Sequence, residues 1–502
     1  MRSRAIRQIT LPAVLGLVVS ACSQPGIVQG AAPKQLAQAA SITAHFNHRD
    51  SARYRSPLDG GWRNGDNLER QLIEAIDAAQ VECLMAVQEL TLPGIARALI
   101  RAQTRGVRVK VILENNYSQP WSHLHASELN PRQRQRRERL MRLADRNGDG
   151  ITDSEELLQG DAIALLQRSG VPLIDDTEDG SKGSGLMHHK FVIVDERDVL
   201  TGSANFTSSG MHGDAGAPRT RGNVNHQLQI SDRAVASVFK TEFMRMWGDG
   251  PGGLQNSQFG RSKGEPNPAR IDLGEAAITV LFPPHGRQHP HHGLRAIANE
   301  LTKASRRIDI AVFVFSAQTL ADTLQQRIKE GVSVRVLADP GFASRPFSEV
   351  LDLLGKALPD HRCLLERNNR PFSEPHEKVG TPCLARGDKL HHKFAVIDNK
   401  TVITGSFNWS PSAAHTNDET LLIIESPQLA KHFTREMDRL WRGAELGVTA
   451  RMQRTLQQRR EQCGIGIKRD DLALQEVRTW GNEDNLTIAG TARQDAGRNA
   501  KS

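Results

Sequence analysis

The string HHKFVIVD, His188 to Asp195, returns as HHKFAVID, His391 to Asp398, and nothing else narrows the possible folds as much. Each copy is followed by a Gly-Ser-x-Asn group, Gly202–Asn205 and Gly405–Asn408. The surroundings repeat as well. ITAHF (42–46) is echoed by ITVLF (278–282), and LERQLIEAIDAAQ (68–80) by LRAIANELTKASR (294–306), both with apolar residues at helical spacing. VECLMAVQEL and RIDIAVFVFS read as short buried strands; each is followed by a helix, a glycine turn (Gly106, Gly331) and a Val-rich strand. Each half closes with the motif, a hairpin and a helix ending in Trp247 or Trp441. Strands alternating with helices indicate an α/β class. The expected architecture is two pseudo-twofold-related halves, each a mixed, mostly parallel sheet flanked by helices, with the active site between them.

The interval from Gly106 to His188 is longer than that from Gly331 to His391, so the first half carries an insertion, read as residues 131–166. The halves themselves span 41–247 and 276–445, joined by a Gly/Pro-rich linker at 248–275. Residues 446–502 read as one helix and a polar tail. At the other end, Arg2, Arg4 and Arg7 precede a short apolar run that stops at Val19-Ser20-Ala21-Cys22. That is the build of a secretory signal over 1–22, too short to span a membrane. Its end resembles a bacterial lipobox, which implies lipidation at Cys22, a tether over 23–40, and an exported protein anchored at the outer membrane or periplasmic face. In such an oxidising compartment Cys363 and Cys383 are candidates for a disulfide, and Cys83 for a buried thiol.

Regular strands place His188 and Lys190 on one face, as they do His391 and Lys393. Ser203 shares a face with Asn205, and Ser406 with Asn408. Asp195 and Asp398, seven residues after their histidines, fall on the opposite face and support the site. Each half thus offers an imidazole, an ammonium, a hydroxyl and a carboxamide. Two such sets could let one histidine attack phosphorus while the other protonates the leaving oxygen. The lysines and asparagines would stabilise the remaining oxygens, so the chemistry needs no cofactor.

These residues resemble the duplicated HxKxxxxDxxxxxxGSxN signature of the phospholipase D superfamily, over roughly 42–445. The resemblance implies a phosphohistidine intermediate, with His188 as nucleophile and His391 as general acid. It also implies an acidic residue behind each histidine. Glu419 is the expected partner of His391, and the first half carries Asn225 where its acid belongs.

Within the insertion, Asp145, Asn147, Asp149, Ile151, Asp153 and Glu156 are spaced like the ligands of an EF-hand-like loop, so Ca2+ is expected there. Upstream, Arg132, Arg134, Arg136, Arg137, Arg139 and Arg142 form either a solvated helix face or a basic patch. The net charge of +8 favours anionic partners, while an aromatic content of 5% argues against an extended base-stacking surface. The preferred substrate is a phospholipid, hydrolysed at its head group, with the lipid anchor holding the enzyme at the membrane. The alternatives are a nonspecific endonuclease of the same superfamily, with nucleic acid as partner, and a calcium-dependent surface-binding protein.

Overall fold

A computed structural model describes residues 33–180, 185–464 and 468–469. The expected signal segment and Cys22 lie outside the described residues. Each half is built on one sheet. The first uses β1 (Ile42–Phe46), β2 (Glu82–Val87), β3 (Arg108–Leu113), β4 (Leu173–Asp175), β5 (Lys190–Val194), β6 (Asp198–Gly202) and β7 (His226–Ser231), in the order β1-β7-β6-β5-β2-β3-β4. The second repeats this with β8 (Ala277–Leu281), β9 (Arg307–Val312), β10 (Ser333–Ala338), β11 (Val379–Thr381), β12 (Lys393–Ile397), β13 (Thr401–Gly405) and β14 (Leu421–Glu425), in the order β8-β14-β13-β12-β9-β10-β11. Two short strands, Ala269–Asp272 and Glu445–Leu446, extend its edges.

The sheets are mixed, as expected, but their balance is antiparallel. Only β2-β3 and β3-β4, with their counterparts β9-β10 and β10-β11, run parallel. The reason is local. Each motif strand turns straight back into its Gly-Ser-x-Asn strand, and a tight hairpin can only make an antiparallel pair.

Helices cover both faces of each sheet. In α1 (Leu68–Ala78) the Asn67 side chain caps the Arg70 amide, and Leu68, Leu72 and Ile76 bury one stripe. It packs with α2 (Pro93–Thr104) on the outer face of the first sheet, as α7 (Gly293–Thr302) packs with α8 (Gln318–Lys329) on the second. The inner faces meet each other. Phe191, Phe239 and Phe243 from one half join Phe394, Phe433 and Met437 from the other in a single core, to which α6 (Arg233–Trp247) and α9 (Pro427–Trp441) contribute their apolar faces. Each fully buried phenylalanine contributes about 1.5–3 kcal/mol, so this shared core fixes the two halves against one another.

The insertion forms α3 (Pro131–Ala144), the acidic loop, α4 (Ser154–Gly160) and α5 (Ala162–Arg168). Ala162, Ile163, Leu165 and Leu166 of α5 pack into the first half's outer core, so α5 belongs to the duplicated fold and the extra material is shorter than expected. Arg136 of α3 does not serve a free basic patch. Its guanidinium makes two hydrogen bonds to Glu89, at 2.7 and 3.0 Å.

Two further expectations are corrected. Cys363 is bonded to Cys463, not to Cys383. The helix α10 (Ala450–Cys463) returns along the second half and delivers Cys463 to the loop, with Met452 buried in that half's core. The calcium ligands are not brought together around a cation. Asp145 accepts from the amides of Gly148 and Gly150, and Asp149 from Ile151. Glu156 accepts from Arg146, Asn147 and Asp153, while Asp153 caps Glu156 in return. The loop's carboxylates are thus spent on its own backbone, and no group of three or more His, Cys, Asp or Glu among the described residues could hold a metal ion.

Candidate active site

Both motifs sit where the halves exchange backbone. The His188 amide donates to the Asp418 carbonyl at 2.9 Å, and the His391 amide to the Val224 carbonyl at 3.0 Å. Parallel bridges Met187–Asp418 and Val224–Leu390 flank these bonds. Each histidine therefore lies beside the segment that enters the last strand of the opposite half.

That exchange overturns the expected pairing. Glu419 follows Asp418, and its Oε2 lies 2.8 Å from Nδ1 of His188, not of His391. Asn225 follows Val224, and its Oδ1 lies 2.9 Å from Nδ1 of His391. Proximity along each half suggested the wrong partner because the pseudo-twofold axis carries each orienting residue across the interface. In both cases Nδ1–H is the donor, which leaves Nε2 free for chemistry.

The lysines behave alike. Lys190 donates to the His188 carbonyl at 2.7 Å, and Lys393 to the His391 carbonyl at 2.8 Å. Lys190 also reaches Oε1 of Gln88 at 3.2 Å. Burial pushes the Lys190 ammonium down to about 7 and Lys393 well below the usual lysine range; it pushes the Glu419 carboxyl up to about 7. Burial, together with the charges of Lys190 and Lys393, also holds both imidazoles well below the ordinary histidine range.

The serines face the orienting residues. Ser203 donates to Oδ1 of Asn225 at 2.8 Å, and Ser406 to Oε2 of Glu419 at 2.5 Å. The carboxamide oxygens of Asn205 and Asn408 are buried without a hydrogen-bond partner, an identical orphan in each half. Each is an acceptor, so a donor such as a water or a substrate hydroxyl would complete it. Asp195 and Asp398 stand outside this constellation. Each sits in the turn after its strand with φ at +51°, and each caps a neighbouring strand: Asp195 takes the amides of Gln80, Val81 and Glu82, and Asp398 those of Ser305, Arg306 and Arg307. They hold the motif strand in register from the turn that follows it, because the strand ends before reaching them.

Two functional tiers were missed. His189 and His392, the second histidines of each doublet, turn away from the site and meet Glu242 and Glu436 at 3.4 and 3.0 Å. The signal was present, since each glutamate stands at the same place before its terminal tryptophan in α6 and α9. The second is Lys263, from the supposed linker. It is fully buried between Glu242 and Asp418, at 2.6 Å from the latter.

Comparison with known proteins identifies the family. Residues 72–247 and 297–441, more than half of the chain, match the family described as cardiolipin synthase, PLD-like domain. The chain belongs to that PLD-like family. Among curated relatives, it is 28% identical over 153 residues to a mitochondrial cardiolipin hydrolase of Xenopus laevis, covering 30% of this chain and 63% of that protein. A phospholipase D of Rickettsia conorii is 28% identical over 162 residues, 32% of this chain and 68% of the relative. The match thus spans just under two thirds of the frog protein's length. Among solved structures, a phosphatidylserine synthase of Haemophilus influenzae aligns over 82% of this chain and 88% of its own, at 12% identity and a TM-score of 0.49. Nuc of Salmonella typhimurium, a phospholipase D family member, aligns over 42% of this chain and 96% of its own, at 23% identity and a TM-score of 0.25.

Proposed function

We propose that this PLD-like protein is a phospholipase D-type phosphodiesterase that hydrolyses phospholipid head groups. The observation that carries the chemistry is the pair of imidazoles, each with Nδ1 occupied and Nε2 free, beside two buried lysines. His188 Nε2 attacks phosphorus, the bond to the leaving alcohol breaks, and His391 gives that oxygen its Nε2 proton. Water, deprotonated by His391, then attacks the phosphohistidine and breaks the P–N bond. Lys190, Lys393, Asn205 and Asn408 hold the non-bridging oxygens throughout.

One observation favours a lipid over nucleic acid. Val87 pairs with Lys190 and Val312 with Lys393, so Gln88-Glu89 and Phe313-Val314 occupy equivalent places beside the two histidines. In the second half that place is apolar. The Phe313 ring lies 4.7 Å from the His391 ring and 4.5 Å from Phe342, in a cluster with Val314 and Phe347. An apolar wall on one side and a polar one on the other suits an amphiphilic diester. The names of the curated relatives, a cardiolipin hydrolase and a phospholipase D, point the same way.

Purified protein incubated with phosphatidylglycerol vesicles and, separately, with plasmid DNA tests this. Phosphatidic acid release is expected, and DNA cleavage alone would replace the lipid reading with the nuclease one. The lysines supply the positive charge at phosphorus, so turnover should persist in a chelator. The Cys363–Cys463 disulfide supports an exported protein. Lipidation at Cys22 would hold it at the membrane, and Cys22→Ser should move it from the membrane fraction to the soluble one.

A further inference from the structure

We infer that Asn225 keeps His391 the stronger acid of the two histidines, and so gives a nearly twofold-symmetric site a single direction of reaction. The inference rests on the two-histidine reading above and asks what distinguishes the pair.

The two orienting residues occupy opposite kinds of pocket. Around Glu419 the neighbours are donors: His188 Nδ1–H and Ser406 Oγ–H reach Oε2, and the Asn417 amide reaches Oε1 at 3.2 Å. Around Asn225 one side offers donors and the other acceptors. Its Oδ1 receives His391 Nδ1–H and Ser203 Oγ–H, while its Nδ2 donates to the carbonyls of Gly210 at 2.8 Å and Asn223 at 3.2 Å. The Asn225 backbone amide is itself fixed by Asn47 Oδ1 at 2.8 Å. This network admits one orientation of the carboxamide. An ionised carboxyl in its place would set an anionic oxygen against two carbonyls, so the pocket is built for an amide.

The consequence is chemical. When His188 becomes a phosphoimidazolium, Glu419 stands ready to balance the new cation. When His391 is protonated, its partner accepts a hydrogen bond and carries no charge. The charged groups around His391 are cations: Lys393 on its own strand, Lys389 just before the motif, and Lys190 from the other half, with His188 opposite. The carboxylates of Asp339 and Glu419 are engaged with the Leu390 amide and with His188. Among the described residues, the ring's one hydrogen-bond partner is the neutral Asn225 carboxamide, which favours giving the proton up to a leaving alkoxide.

The test is the pH profile of kcat/KM, measured on whichever of phosphatidylglycerol vesicles or plasmid DNA the wild type turns over; both have alcohol leaving groups. In Asn225→Asp the basic limb should move up by at least one pH unit. Wherever the proton sits within the new pair, an added carboxyl binds it more tightly than an amide does. The plateau should fall roughly tenfold, because the weaker acid transfers its proton less readily. Asn225→Ser, which adds no charge, should leave the limb in place. An unmoved limb in a folded Asn225→Asp protein overturns the inference, as does an equal upward shift in the serine variant. A second readout needs no variant: the phosphoenzyme, quenched in alkaline detergent because its P–N bond is acid-labile, should carry its label on the His188 peptide, and label on His391 overturns the inference. Full activity in both His188→Ala and His391→Ala would instead remove the reading on which it rests.

Discussion

His391→Ala should release one equivalent of p-nitrophenolate per site from bis(p-nitrophenyl) phosphate and then stall, whereas His188→Ala should show no burst. The difference follows from which Nε2 does what. A p-nitrophenolate leaves without a proton, so the first step survives loss of the general acid. The phosphohistidine on His188 then waits for water that no longer has a base. Without His188 there is no nucleophile for any leaving group. On a diester with an alcohol leaving group both single variants should lose about 10³-fold or more in kcat, within the span of acid–base contributions. The double variant should lose little beyond either single one, because the two groups act as a unit. Stopped-flow absorbance of the first turnover decides the matter, and a burst in His188→Ala with none in His391→Ala would reverse the roles.

Most of this site was legible before any coordinates. The duplicated string located both histidines, both lysines and both asparagines, and strand parity set the aspartates apart as supports. What failed was everything that depends on the relation between halves. Glu419 lies close to the second motif along the chain, and sequence distance therefore assigned it to His391; the backbone exchange at Asp418 and Val224 assigns it to His188. The disulfide failed for the same reason. Cys383 is near Cys363 in sequence, but α10 folds back from far downstream to bring Cys463 to it. Helices between strands suggest a parallel balance, but the hairpin that each motif contains makes it antiparallel. In the insertion, ligand spacing was legible but could not reveal that a capping box at Asp153 and Glu156 would turn the Glu156 carboxylate onto backbone amides.

Lys263 is the case where composition misled, and its replacement should have the largest effect on stability. A Gly/Pro-rich segment reads as a passive connection, yet its short helical turn at Gly260–Lys263 threads an ammonium between Glu242 of one half and Asp418 of the other. The Gly260 amide adds a bond to the Asp418 carboxylate at 2.9 Å. Burial opposes the charge on Glu242, and Lys263, with His189, overrides it and holds the carboxyl down at about 2. Lys263→Met removes the shared cation and leaves two buried carboxylates facing each other. Removing one partner of a buried pair costs about 3–5 kcal/mol, and a lowered urea midpoint at unchanged slope should report it. The pH dependence has a definite sign. A depressed carboxyl contributes stability above its unfolded value, about 4.3, and loses it as pH falls toward 2. In the variant Glu242 can take up a proton at a higher pH, so the deficit relative to wild type should shrink on acidification. Glu242→Gln added to Lys263→Met should recover part of the loss at neutral pH, because one stranded charge is gone. Activity should fall with stability in the single variant, since the Asp418 carbonyl holds the His188 amide and the next residue orients its ring. A midpoint unchanged from wild type in Lys263→Met would reduce the segment to the loose connection its composition suggested.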